Sequence, residues 1–118
     1  MAKKAQTTTT GAIDLIITRH PTLVEYLVAE GFVSPDTPVI EHVTPEDVRG
    51  RNVIGVVPFH LGALCKSVTE VPLALTPEMR KAGELTIEQI REIAGPPVTY
   101  HVQRLRGFEE AEEAEEAD

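Results

Sequence analysis

Tryptophan is absent from the chain, and cysteine occurs once, at Cys65. A single thiol excludes an internal disulfide and any cysteine cage for a metal. Cys65 falls within a helical stretch, on a face that packs, and reads as a small hydrophobe. Aromatic residues are few: Tyr26, Phe32, Phe59, Tyr100 and Phe108. The core must therefore be aliphatic, built from Val, Ile and Leu. No apolar run approaches the roughly 20 residues that span a bilayer. The first ten residues carry two lysines but no apolar segment of the kind a secretory leader needs. A cytoplasmic protein with no membrane contact is the expectation. A glycine-rich phosphate loop is also missing, because Gly55 lies alone in a strand-like run and Gly62 in a helical one.

Bases are lacking at one end. Residues 107–118 hold seven of the 19 acids and neither Lys nor Arg, which leaves 12 acids against 11 bases in the remainder. The net charge of −8 is thus largely the property of an acidic, solvated tail. A near-neutral body offers no broad basic face for duplex nucleic acid. Any anionic ligand must be small and held locally. The length of 118 residues suits one domain. The expected division is a disordered arm over 1–11, a folded domain over 12–106 and the acidic tail over 107–118.

What is present is a succession of buried-type strands and short helices. Ile13–Thr18 is rich in β-branched residues, as in a strand covered on both faces. Pro21 to Glu30 follows as a helix, with Leu23, Val24, Leu27 and Val28 on one face and Gly31 just past its end. A short strand is expected over Val39–Val43. Thr44-Pro45-Glu46-Asp47 then starts a brief helix, with Thr at the cap, Pro in the first turn and acids behind it. Asn52–Val57 is a second buried strand, closed by Pro58, and Phe59–Lys66 a third helix. Glu70–Leu75 reads as a strand whose Pro72 suits an edge. Thr76-Pro77-Glu78-Met79 repeats the helix start, and Thr86-Ile87-Glu88-Gln89 is a capping box for a last helix. Val98–Val102 alternates as a final strand containing His101. Strands and helices alternate with connections too long for hairpins, which predicts an α/β three-layer sandwich around a mainly parallel five-stranded sheet.

In such a sheet the loops that follow each strand share one edge, where open α/β folds bind ligands. Arg19 and His20 follow the first strand, His42 ends the second and His60 follows the third. Three of the four histidines thus fall at carboxyl ends of strands. None of these pairs has the i, i+4 spacing that specifies a zinc site, so no metal is expected. Helix starts at Pro21 and Phe59 present backbone N–H groups that can hold phosphate oxygens. Arg19 adds a permanent, bidentate cation. A pocket of this kind suits a small phosphodiester.

The ordered set Thr18-Arg19-His20-Pro21, Glu41-His42-Val43, Val53–Ala63 and Leu73–Arg80 resembles the small CRISPR-associated proteins of the Csx class that accompany type III systems. The likeness is to the family whose first strand ends in Arg-His-Pro, and it covers about residues 12–103. Two positions depart from that pattern: Thr22 replaces a small residue, and Arg80–Leu85 carries extra residues. The resemblance implies a Rossmann-like (CARF-like) domain that works as a homodimer, binds cyclic oligoadenylate and cleaves it as a ring nuclease without cofactor. It implies catalytic roles for Arg19, His20 and His60. Ligand contacts are implied for Thr18, Pro21, His42, Pro58, Phe59 and Arg80. The alternative is a sensor or sequestering module that binds the same messenger without cutting it. A third class is an adaptor that recruits a partner through its acidic tail.

Overall fold

Three consecutive aliphatic residues, Leu15–Ile17, form β1, and all three are buried. The computed structural model describes residues 12–108. The other strands are β2 (Val39–Ile40), β3 (Asn52–Gly55), β4 (Ser67–Glu70) and β5 (Val98–Tyr100), in the spatial order β2-β1-β3-β4-β5. The helices are α1 (Pro21–Ala29), α2 (Pro45–Val48), α3 (Phe59–Gly62), α4 (Pro77–Ala82) and α5 (Ile87–Ile93). The expected arm over 1–11, and all but the first two residues of the expected tail, lie outside the described residues.

The continuous apolar run of β1 follows from burial on both sides. Successive strand residues point to opposite faces. Leu15 and Ile17 accordingly join Val48, Val53, Leu61, Cys65 and Val68 in one cluster. Ile16 joins Tyr26, Leu27, Phe32, Val33, Ile54 and Ile90 in the other. Helices α2 and α3 cover the first face through Val48 and Leu61, while α1 and α5 cover the second through Leu27 and Ile90. Leu15, Leu27, Val48 and Val53 have no exposed surface at all. Each contributes about 1.5–3 kcal/mol relative to an exposed position. Tyr26, which the helical face drawn from sequence left out, is also buried and packs on Phe32 with ring centroids 6.3 Å apart.

The sheet is mixed, which corrects the mainly parallel one expected. β2-β1, β1-β3 and β3-β4 pair in parallel, but β4 and β5 pair antiparallel with Glu70 opposite Val98. Two helices, not one, separate these strands, so the chain re-enters at the edge it left. β4 also begins earlier than expected, at Ser67 instead of Glu70. The one-turn helix α3 stops at Gly62, not Lys66, because the following backbone is drawn into other bonds: Leu64 O accepts from Gly50 N (2.9 Å) and Arg51 O from Lys66 N (2.8 Å). Beyond Glu70, the segment expected as the fourth strand forms only an isolated bridge, Leu73 to Ala94.

Helix starts were the local features best specified by sequence. Thr76 Oγ1 accepts from Met79 N at 3.2 Å, and Thr86 Oγ1 from Gln89 N at 3.2 Å, with Gln89 Oε1 accepting from Thr86 N at 2.9 Å. Gly31 follows α1 with φ +79°, the left-handed turn expected there. Among the described residues no helix is long and apolar enough to cross a membrane.

Candidate functional site

The connection out of β1 leads to β2 on one side, whereas β3 stands on the other and leads on to β4. The carboxyl ends of β1 and β3 are therefore a topological switch point, where the loops diverge and where such sheets bind ligands. Thr18-Arg19-His20 leaves β1 at this point, and Val56-Val57-Pro58-Phe59-His60 leaves β3 beside it.

The turn after β1 is built by Thr18. Its N–H donates to Ile40 O of β2 (3.3 Å), which continues the ladder one step. Its Oγ1 accepts from His20 N (3.1 Å), a local side-chain turn that swings Arg19 outward. His20 is the N-cap residue of α1, with extended φ −112° and ψ 103°, the conformation a following proline enforces. Its imidazole makes no capping bond. The start of α1 has less to give an anion than expected from sequence. His20 N is taken by Thr18, Pro21 has no N–H, and Leu23 N donates to His20 O (3.0 Å).

β3 meets β1 unusually closely at Gly55. This residue has φ +136°, and a Cβ there would fall on the carbonyl oxygen of Ile17. Glycine is needed for both reasons. Val56 N then donates to the same Ile17 oxygen (3.3 Å). Beyond it, Val56 and Phe59 are each 84% exposed, and Pro58 caps the single turn of α3. One turn adds little macrodipole, so the value of this start lies in its side chains. Phe59 offers a free aromatic face on which a base can stack.

Arg19, His20, His60 and Arg80 are all exposed, and none of their side chains has a hydrogen bond or ion pair with another described residue. The fold brings the ends of β2, β1 and β3 side by side, and with them His42, Arg19 with His20, and His60. His42 is turned toward Glu41, with Nε2 3.5 Å from its Oε1. His20 and Arg80 share the wall of one cavity of about 350 Å³, which His60 does not line. Helices α1 and α3 lie on opposite faces of the sheet, so His20 and His60 stand on opposite sides of it.

His101 stands just past β5 and not within it as expected. Because β5 is antiparallel and Tyr100 pairs with Val68, His101 belongs to the amino edge, away from the other three histidines. Cys65 is buried, its Sγ 3.5 Å from Leu61 O, and burial pushes its thiol pKa up. That suits a packing residue rather than a nucleophile. Among the described residues no group of three or more His, Cys, Asp or Glu is placed to hold a metal ion. Sequence reasoning missed the cavity itself. Its signal was the set Leu73, Leu75, Met79 and Leu85, apolar residues spaced through a stretch punctuated by prolines.

Residues 15–103 match the family model described as "Putative CRISPR-associated protein (Cas_VVA1548)". No curated protein and no solved structure is matched.

Proposed function

The chain belongs to the CRISPR-associated family Cas_VVA1548, and from that premise we propose that it is a ring nuclease that switches off type III CRISPR signalling. It binds cyclic oligoadenylate, with cyclic tetra-adenylate the leading candidate, and opens one linkage to leave a linear product ending in a 2′,3′-cyclic phosphate. The observation that carries this reading is the placement of Arg19, His20 and His60 on the two loops that leave one switch point, three exposed groups with no partner among the described residues. Cations and imidazoles on the carboxyl edge of such a sheet, free of protein partners, are available to an anionic ligand.

The chemistry asks only for positioning, proton transfer and charge neutralisation. A ribose 2′-hydroxyl loses its proton and its oxygen attacks the adjacent phosphorus. The bond from phosphorus to the 5′-oxygen of the next nucleotide breaks, and that oxygen takes a proton. Nucleophile and phosphate belong to the same nucleotide, so in-line alignment supplies much of the rate. Arg19 neutralises the charge that builds on the phosphoryl oxygens. One of His20 and His60 removes the 2′ proton while the other protonates the leaving 5′-oxygen. Their places on opposite sides of the sheet suit that division. The Rossmann-like domain acts as a cytoplasmic homodimer, whose two-fold axis matches a two-fold symmetric ring.

A non-catalytic sensor is favoured by one observation only: His20 and Arg80 line a cavity that His60 does not reach. Incubating the full-length protein with cyclic tetra-adenylate in EDTA separates the two. Linear products with 2′,3′-cyclic phosphate ends support the nuclease, intact ligand eluting with the protein supports the sensor, and no binding sinks both. His20→Ala and His60→Ala should each slow cleavage by about 10²-fold or more, a larger effect than their weakening of binding.

A further inference from the structure

The cavity beside His20 is bounded by α1, α4, α5 and the segment around Leu73 and Leu75, and its volume is about 350 Å³. We infer that it holds one nucleobase of the bound nucleotide, with His20 and Arg80 at its mouth on the attached phosphate. The ligand's identity rests on the ring-nuclease reading; the cavity's chemistry does not. Its volume is at the small end of cavities that take organic ligands. A whole cyclic oligonucleotide is far too large, while a single base with part of its sugar is the right scale.

The walls agree with that occupant. Leu23, Leu73, Leu75, Met79, Leu85 and Ile90 supply an apolar lining from several separate elements. A flat heterocycle placed among them displaces water from aliphatic surface, and the Met79 thioether makes favourable contact with an aromatic ring. Polar groups are confined to His20, Thr22, Arg80 and Glu84. Arg80 and His20 suit a phosphate, with the guanidinium able to bind two of its oxygens. The Glu84 carboxylate is an acceptor for an exocyclic amino group, which adenine has and uracil lacks. Arg80 thereby gains a defined place: it stands on α4, away from the strand ends, yet shares a wall with His20. The base is then anchored on the α1 side of the sheet, and the phosphate chain passes His20 toward the carboxyl ends of β1 and β3.

The chain contains two methionines, Met1 and Met79, so methyl-labelled methionine gives a direct probe of the cavity. Full-length labelled protein is titrated with AMP and, separately, with ribose 5-phosphate, which keeps the phosphate but lacks the base. The Met79 methyl should shift with AMP and stay still with ribose 5-phosphate. In parallel, Met79→Trp, which fills the cavity, should weaken cyclic tetra-adenylate binding about tenfold or more by calorimetry. An unmoved Met79 methyl, or equal shifts from both compounds, overturns the inference. So does Met79→Trp binding the ring as tightly as the unsubstituted protein, and in that case the ring-nuclease reading survives. A Met79 response to AMP from a protein that neither binds nor cuts the ring supports the cavity and removes the ring-nuclease reading. If Met79→Trp fails to fold, the titration of the unsubstituted protein still decides.

Discussion

The two edges of the sheet spend their polar groups differently. At the amino edge, Asp14 and Asn52 exchange bonds: Asp14 N donates to Asn52 O (2.7 Å), and Asn52 N donates to Asp14 Oδ2 (2.8 Å). Ser67 Oγ then donates to Asn52 Oδ1 (2.7 Å), which links the starts of β1, β3 and β4. At the carboxyl edge Thr18 closes a turn, but Arg19, His20 and His60 project into solvent with no such bond to another described residue. One edge is satisfied internally and holds the strands in place. At the other, the side chains are hydrated and free to meet an outside molecule.

The contrast can be broken or sharpened by substitution. Arg19→Ala has the largest expected effect and should be silent in a thermal melt. On the proposed mechanism, loss of one charge-stabilising group costs about 10²–10³ in cleavage rate, or about 3–4 kcal/mol of barrier. A melting temperature that fell along with activity would mean that Arg19 is structural after all. Gly55→Ala should lower stability by about 3 kcal/mol, from the strained φ together with the clash on Ile17, as read by denaturant unfolding. Asn52→Ala should cost about 1–2 kcal/mol of stability by leaving the Ser67 hydroxyl short of a partner, with cleavage per folded molecule unchanged.

Asp47→Asn has the smallest expected effect, a small loss near neutrality that fades in acid. The Thr44 backbone N–H and hydroxyl bond the Asp47 carboxylate and hold its pKa below the ordinary carboxylate value. A lowered folded-state pKa adds stability that is fully present above the unfolded value. That stability is lost as pH falls through the folded one. Asp47→Asn should flatten this acid limb without altering stability near neutrality by more than the loss of the charged bond. Chemical denaturation as a function of pH checks it.

The parts of the fold legible in sequence are those decided locally or by burial on both sides. Leu15–Ile17 and Val53–Ile54 are continuous apolar runs because each face of the sheet is covered. Thr76 and Thr86 announce helices because capping involves residues three apart. β4 was misplaced because Ser67-Val68-Thr69-Glu70 carries its polar side chains into tertiary pairs, such as Thr69 Oγ1 with Thr99 Oγ1 at 2.8 Å, which no local pattern shows. The strand ends that carry Arg19, His20 and His60 followed from strand order alone. The edge on which His101 falls did not, since it depends on the direction of β5. Nor did the cavity, whose walls come from segments up to 70 residues apart, His20 to Ile90.

The missing side chain at position 55 has a last consequence. Ile17 O lies where any other residue would put its Cβ, so the gap between the two loops of the site is set by a hydrogen atom. Arg19, His20, Val56, Phe59 and His60 on either side are exposed and can be substituted without touching that seam. Position 55 has no such latitude, because every substitute would pry apart the seam from which both loops depart. The site can thus be changed in its contents while being fixed in its bore.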